Sequence, residues 1–293
     1  MGSNPLEQLK SLELKANFTQ RERQYFYKLR DELEAIVGGV SIEELKKPTD
    51  VAQARRIRAK LEEILKFVQK REMEIEAEDL NRERFMGWIK ESRLEDKLTD
   101  EWVNENIDFS PDRIVCKCDL DLSQTSIAYL PDNLTINGYL NLEGCTALID
   151  LPENLTVCDV SHFVGCTLLT HLPNNFTAKE SLVLEGCTAL TQLSNDLKLG
   201  GSLILTDCTA LVSLPDNLTV NGRLDLENCT SLGCLPENLM VQGALNLSGC
   251  VSLSFLSDDL QIAGDVGVYE CPRAIIKRIK NLKKLGRIRG RIV

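Results

Sequence analysis

Apolar residues recur through the middle of the chain at a fixed interval of 21 residues. Leucine and cysteine each occur seven times at this interval. The two series are Leu130, Leu151, Leu172, Leu193, Leu214, Leu235 and Leu256, and Cys145, Cys166, Cys187, Cys208, Cys229, Cys250 and Cys271. Fixed periods of this order are typical of solenoids, because one unit cannot bury its apolar face alone whereas a stack buries a continuous core. The pattern therefore predicts a solenoid.

Each unit has the pattern Leu-x-Leu-x-x-Cys-x-x-Leu, followed in most units by Leu-Pro and a polar pair. One instance is Leu224, Leu226, Cys229 and Leu232. The alternating part predicts a strand of about five residues, and the remainder is too short to return through a helix of ordinary length, about 11 residues. Proline also disfavours helical backbone in the residue before it. We therefore expect stacked units with a parallel sheet and an extended convex side.

Glycine-containing pairs precede several of the predicted strands. Asn137-Gly138, Gly200-Gly201 and Asn221-Gly222 are examples. Glycine and asparagine tolerate positive φ better than other residues do. We predict that these pairs adopt positive φ and turn the chain into the next strand.

The N-terminal part of the chain has the signals of helices. Thr19 and Glu22 form a capping box that begins a first helix, a short second helix ends near Pro48, and Asp50 begins a long third helix. A further helix is predicted around Leu80, Phe85, Trp88 and Ile89. The prediction is an all-α bundle over residues 1–113, which shields the edge of the first repeat. The fold class is then α+β, with the repeats over residues 114–271, about eight of them, and a C-terminal cap over 272–293.

The last 22 residues combine an apolar helical stripe with many bases. The stripe is Ile275, Ile276, Ile279 and Leu282. We predict that it packs on the last repeat, because solenoids require terminal caps. Residues 287–293 alternate in polarity, which fits either a strand or a disordered end. Besides capping, binding of lipid or nucleic acid and nuclear import are alternative roles of the bases.

Charge is distributed very unevenly along the chain. Residues 1–113 contain 25 acids and 21 bases, residues 114–271 contain 19 acids and 4 bases, and residues 272–293 contain 9 bases and no acid. The net charges are −4, −15 and +9. An acidic middle region argues against nucleic acid as its partner. Membrane contact is an alternative for the basic tail alone.

The 11 cysteines predict a reducing compartment rather than a disulfide scaffold. No basic flank followed by an apolar run begins the chain, and no run of 18 apolar residues occurs, so we expect a cytosolic protein. Successive cysteines in stacked parallel strands point the same way, which disfavours disulfides, and no Cys-x-x-Cys pair suggests zinc. We expect no metal and no cofactor, and cysteine should act as a small buried hydrophobe with a weak donor.

These repeats resemble the leucine-rich-repeat family, with cysteine where many members carry the ladder asparagine. The resemblance covers residues 116–271. The short period and recurrent Leu-Pro are similar to the variety found in effectors that intracellular bacteria inject into host cells. This resemblance implies a virulence-associated protein that binds a host protein. Members of that group often continue into a ubiquitin-ligase domain, but only 22 residues follow the last cysteine here, so ligase activity is not expected.

Alternation along each strand also predicts which side chains face solvent on the concave side of the sheet. An apolar cluster lies in the middle units, with acidic residues beside it. The predicted partner-binding residues are Tyr139, Val160, His162, Val164, Val183, Glu185, Ile204, Thr206, Arg223, Asp225 and Glu227. We predict a monomeric protein–protein interaction module that is not an enzyme. The competing explanation is that β-branched residues simply favour strands.

The second unit departs from the repeat. Ser161 and Phe163 replace the core leucines, and Cys158 lies close in sequence to His162 and His171. Irregular packing is the expected reason, and a thiol nucleophile with an imidazole base is the alternative. The alternative function for the whole chain is an enzyme, or an enzyme-recruiting effector such as a ubiquitin-pathway adaptor, with its activity in the N-terminal helical domain.

Overall fold

A computed structural model describes residues 51–293, together with Gln24, Tyr25, Tyr27, Lys28 and Asp31, which are helical. The predicted capping box at Thr19 and Glu22 and the predicted short helix ending near Pro48 lie outside the described residues. The chain divides into two compact units, Met1–Asp79 and Leu80–Val293. No helix in the described part of the chain is long and apolar enough to cross a bilayer.

Residues predicted to form two helices form a single helix, α1, at Val51–Glu91. The prediction of a separate fourth helix was therefore wrong. No proline occurs in these 41 residues, and good helix formers such as Glu, Lys, Arg and Leu dominate them. Side chains one turn apart form ion pairs on its surface, among them Lys70 with Glu74 at 3.5 Å. Nothing in the sequence between the two apolar stripes ends the helix.

The unit that contains the solenoid begins with the last three turns of α1. Phe85, Trp88 and Ile89 are buried there. A second helix, α2 at Asp100–Asn106, follows, and the hydroxyl of Thr99 caps it by accepting a hydrogen bond from Trp102 N at 3.2 Å. An antiparallel pair, β1 at Ile107–Phe109 and β2 at Ile114–Cys116, then leads into the repeats.

The repeats form a parallel β-solenoid of about seven turns with a period of about 21 residues. Its first sheet has eight strands, and we call its outward surface the eight-stranded face. These strands are β3 Leu120–Asp121, β5 Leu140–Asn141, β7 Ser161–His162, β9 Leu182–Val183, β11 Leu203–Ile204, β13 Leu224–Asp225, β15 Leu245–Asn246 and β17 Val266–Gly267. The predicted solenoid with a parallel sheet is confirmed.

A second series of strands alternates with the first along the chain and makes another side of each turn. After β1 and β2, the strands of this six-stranded sheet are, in order, β4 Leu134–Ile136, β6 Thr156–Val157, β8 Thr177–Ala178 and β10 Lys198–Leu199. A separate three-stranded sheet contains β12 Thr219–Val220, β14 Met240–Val241 and β16 Gln261–Ile262. The series is thus interrupted between β10 and β12.

The cysteine ladder lies in the core between these strands. Each thiol donates a hydrogen bond of 2.9 to 3.3 Å to a backbone carbonyl of the preceding turn. The acceptors are Leu122, Leu142, Phe163, Leu184, Leu205, Leu226 and Leu247. Cysteine is therefore a small buried hydrophobe with a weak donor, as predicted, and it ties each turn to the one before.

The predicted source of positive φ was wrong. None of the residues in the pairs 137–138, 200–201 and 221–222 has positive φ. In the repeats, positive φ is instead found at the asparagine of each Leu-Pro-x-Asn segment and at the residue before every ladder cysteine. The asparagines are Asn133, Asn154, Asn175, Asn217 and Asn238.

Glycine in those pairs is required by lack of space. At Gly243, which follows the same pattern, an added Cβ would lie 2.5 Å from the carbonyl oxygen of Gly222 in the preceding turn. In this turn the chain approaches the backbone of the preceding turn so closely that a Cβ at Gly243 would require one of the two to shift.

The C-terminal segment closes the far end of the solenoid. Helix α3, Arg273–Lys284, buries Ile275, Ile279 and Leu282. The chain then returns along the last turn, with Ile288 bridged to Ile262 and Ile292 bridged to Val266 in parallel. Of the two states that the sequence left open for residues 287–293, the structure has the paired one.

Candidate functional site

Side chains alternate between core and surface along every strand of the eight-stranded face. In β9, Leu182 is fully buried, whereas its neighbour Val183 is half-buried on the outer surface. Strand register aligns the outer residues in a row, since Val183 pairs with His162 on one side and with Ile204 on the other. Paired strands lie about 4.8 Å apart, so these side chains are immediate neighbours.

A group of half-buried apolar residues lies on β7, β9 and β11 and the residues next to them. We call it the apolar cluster: Val160, Val164, Val183 and Ile204, with His162 among them. Each member retains part of its surface in contact with solvent. Three adjacent strands therefore present a continuous, water-accessible apolar surface.

The same row has a different chemistry on either side of the cluster. Its side-chain oxygens accept hydrogen bonds from backbone N–H groups two residues ahead, and this Asx geometry fixes the end of each strand. The acceptors are Asp121 with Ser123 N at 2.9 Å, Asn141 with Glu143 N at 3.1 Å, Asp225 with Glu227 N at 3.2 Å, and Asn246 with Ser248 N at 3.1 Å. Partial burial opposes ionisation of Asp121, yet the hydrogen bonds from Ser123 lower its pKa overall.

The three central strands, β7, β9 and β11, have no Asx residue to accept this hydrogen bond. His162, Val183 and Ile204 occupy the Asx position there, and the two aliphatic side chains have no acceptor to offer. A general preference of β-branched residues for strands does not explain why the two aliphatic replacements and the histidine lie in three adjacent turns, whereas the other strand without an Asx residue, β17, has Gly267. This contrast was not among the predictions from sequence, although the repeats contain the signal for it in Asp121, Asn141, Asp225 and Asn246.

The acidic residues beside the cluster are not equivalent. Asp225 is 5% exposed and forms an ion pair with Arg223, so it is part of the structure rather than a free carboxylate. Glu227 accepts a hydrogen bond from the Asn246 amide at 3.0 Å. Glu143 and Glu185 are exposed. The carboxylates that a partner would meet beside the cluster are therefore those of Glu143 and Glu185. The charge of Asp225 is neutralised by its ion pair with Arg223.

The other two predicted residues lie at the margins of the cluster. Tyr139 precedes β5, and its backbone N–H donates to Asp119 Oδ1 at 3.0 Å. Thr206 follows β11, and both side chains are half-buried. The structure thus brings the predicted residues onto one face but concentrates the apolar contact area in its centre.

The second turn is irregular in its packing. Ser161 is buried in the leucine position, and its hydroxyl has no hydrogen-bond partner in the structure. The rings of Phe163 and Phe176 are fully buried, with centroids 6.0 Å apart. This arrangement agrees with the expected irregular packing.

The alternative thiol–imidazole site is not assembled. The Cys158 thiol lies 3.9 Å from Asn137 Oδ1, and His162 lies on the eight-stranded face. His171 contacts other groups, with Nδ1 3.0 Å from the Thr170 hydroxyl and Nε2 3.6 Å from Asp150. Within the described ranges, no three metal-binding side chains converge.

The ladder thiols are also poorly suited to nucleophilic chemistry. Burial raises the pKa of Cys250 to about 12 and that of Cys271 to about 11. Because the thiolate is the reactive form, these cysteines stay inert near neutral pH.

No family model, curated protein or solved structure matches this chain.

Proposed function

We propose that this chain is a leucine-rich-repeat protein that binds another protein on its eight-stranded face and is not an enzyme. The observation that carries the proposal is the exchange of Asx residues for His162, Val183 and Ile204 in three adjacent strands. A turn-stabilising hydrogen bond is lost at each aliphatic position, and an accessible apolar surface is gained. Such an exchange favours a surface selected for contact rather than for its own stability.

The surroundings of the apolar cluster indicate the chemistry of the partner. Glu143 and Glu185 are exposed beside it, and residues 114–271 carry a net charge of −15. A partner with apolar side chains at its centre and Lys or Arg at its periphery fits both features. The acidic field would accelerate association with such a partner and disfavour acidic competitors.

The resemblance to short-period repeats of bacterial effectors supports a host protein as that partner. The reduced cysteine ladder is compatible with a reducing host cytosol, where disulfides rarely persist. We therefore propose an effector that acts by capture.

Affinity capture from a host-cell lysate tests this function. Wild-type protein is compared with Ile204→Asp and with Val212→Asp, the latter a control that adds the same charge at a residue 52% exposed away from the cluster. We expect a protein that wild type and Val212→Asp both retain and that Ile204→Asp loses. Retention of the same proteins by all three, with Ile204→Asp normally folded, would exclude the apolar cluster as the binding surface.

A further inference from the structure

The outer face of α3 carries a row of four cations. Arg273, Lys277, Lys280 and Lys284 are spaced by four, three and four residues, which places them on one face of the helix. We call this row the cationic stripe. The buried residues Ile275, Ile279 and Leu282 lie on the opposite face, so the stripe points away from the core. All four residues of the stripe are exposed.

Most of this stripe opposes the helix that carries it, since only Lys284 lies in the last turn, where a cation is favourable. Like charges three and four residues apart repel each other, and a base in the first turn opposes the helix dipole. The first turn contains no acid, and the N-cap, Pro272, makes no side-chain hydrogen bond. The outer face of α3 is therefore not arranged to stabilise the helix.

Neighbouring cations have partners within the protein, whereas the cations of the stripe form no ion pairs among the described residues. Arg278 pairs with Asp258, and Arg291 pairs with Asp265 at 2.8 Å. Lys283 Nζ donates to the carbonyl of Gly290 at 2.6 Å. Among the described residues, no ion pair involves a member of the stripe. Two acids of the last turn are thus neutralised locally, and the stripe keeps its full charge.

We propose that the cationic stripe docks this end of the solenoid onto a bilayer that contains anionic lipids. Lysine predominates in it, and lysine is a compact point charge suited to many diffuse head-group contacts rather than to one forked phosphate site. Leu285, 69% exposed, directly follows the stripe and provides an apolar side chain for the interface. Residues 272–293 contain no aromatic side chain on which bases could stack, so single-stranded nucleic acid fits less well.

The acidic charge of the solenoid does not prevent this contact. Screening confines electrostatic interactions to about 8 Å at physiological salt, and strands are spaced about 4.8 Å apart. Acids more than about two turns from the end are therefore largely screened from a surface that touches α3. The contact should be peripheral and salt-sensitive, because the apolar face of the helix is already buried in the solenoid.

Sedimentation of the full chain with lipid vesicles tests the proposal. We expect binding to vesicles of phosphatidylcholine with phosphatidylserine and none to phosphatidylcholine alone. Each base near the surface contributes about fivefold in partitioning, so Lys280→Gln with Lys284→Gln should weaken binding about 30-fold. The matched control, Lys179→Gln with Lys198→Gln, removes two exposed cations of the solenoid and should bind as wild type.

Raising the salt to about 1 M, where the screening length is about 3 Å, should release the protein. Thermal unfolding of each variant establishes that the fold is kept. Equal binding by the two double variants would overturn the proposal. So would binding to single-stranded RNA without binding to either kind of vesicle.

Discussion

The cysteine ladder joins every full turn of the solenoid to its neighbour through a thiol and a carbonyl. Cys208, for example, donates to Leu184 O at 3.1 Å while its side chain stays fully buried. The position was predictable from the 21-residue spacing, and so was the chemistry, because parallel stacking excludes disulfides. Seven such thiols make the core sensitive to any condition that ionises them.

We predict that the protein loses stability in alkaline solution. Burial raises the pKa of Cys250 to about 12 and that of Cys271 to about 11, whereas thiols of the unfolded chain ionise near 8.5. Stability from these protonated thiols is complete below about pH 8.5 and falls as the pH rises toward the folded-state values. The urea concentration at the unfolding midpoint should be lower at about pH 10 than at about pH 8, and this decrease should be smaller in Cys271→Ala. An equal fall in that variant would contradict this origin.

Glycine at the corners of the solenoid was predicted, but its reason was not. Repeat patterns show where glycine recurs without distinguishing a left-handed backbone from a lack of space. At Gly243 the carbonyl of Gly222 excludes a Cβ, and φ is not positive. A left-handed backbone and a lack of space both select glycine, so the sequence alone does not distinguish them.

We predict that Gly243→Ala destabilises the protein by about 1–3 kcal/mol, because the new methyl group must displace backbone of the preceding turn. Gly233→Ala is the control, since no atom lies within 4 Å of its added Cβ. That variant should be neutral or stabilised by up to about 1 kcal/mol. Urea denaturation of both variants measures the difference, and equal midpoints would contradict steric exclusion at Gly243.

Among the strands, the interruption between β10 and β12 coincides with a local change of sequence. Ser194 and Asp196 replace the proline and asparagine of Leu-Pro-x-Asn, and Asp196 does not adopt the positive φ of those asparagines. Its backbone N–H instead donates to the Ser194 hydroxyl at 3.2 Å. The same exchange occurs at Ser257 and Asp259 in the last turn, where β16 still pairs with β14, so it does not by itself interrupt the series. The substitution is visible in the sequence, but the backbone change that follows from it is not.

We expect amide hydrogen exchange to be faster at Thr219 and Asn221 than one turn later. In that later turn, Met240 N donates to Leu218 O at 3.0 Å and Gln242 N donates to Val220 O at 2.9 Å. No corresponding ladder bonds join β12 to β10 in the structure. Exchange measured by NMR compares the two pairs of amides within one sample. Equal protection would contradict the interruption.

Helices were harder to delimit than strands. The apolar stripes of residues 57–68 and 80–89 were predicted as two helices because each has its own spacing. The intervening residues form one uninterrupted helix, α1, since charged helix formers fill the gap and no proline ends it. Apolar periodicity locates the faces of helices that pack, and it says little about a solvated connection between them.

At the scale of the whole solenoid, alternation along the strands determines which side chains face outward. The two ends differ, since β1 and β2 precede the first repeat and α3 covers the last. Alternation placed Val183 and Ile204 on the surface correctly, since a strand period of two leaves no other choice once Leu182 and Leu203 are in the core. Burial of Asp225 could not be predicted, because alternation places this residue on the outer face and does not reveal its ion pair with Arg223. Pattern thus assigns a side chain to a face, and contacts between neighbours decide its exposure.

Unfolding of Leu182→Asp and Val183→Asp in urea is the most direct measurement of the central claim, that an apolar row faces outward from the sheet. The same carboxylate is introduced at adjacent residues on opposite faces of β9. We predict that Leu182→Asp loses more than about 4 kcal/mol, because an unpaired charge enters the core. Val183→Asp should lose no more than about 1 kcal/mol. Comparable losses in both variants would mean that Val183 belongs to the core, and the proposed binding surface would not exist.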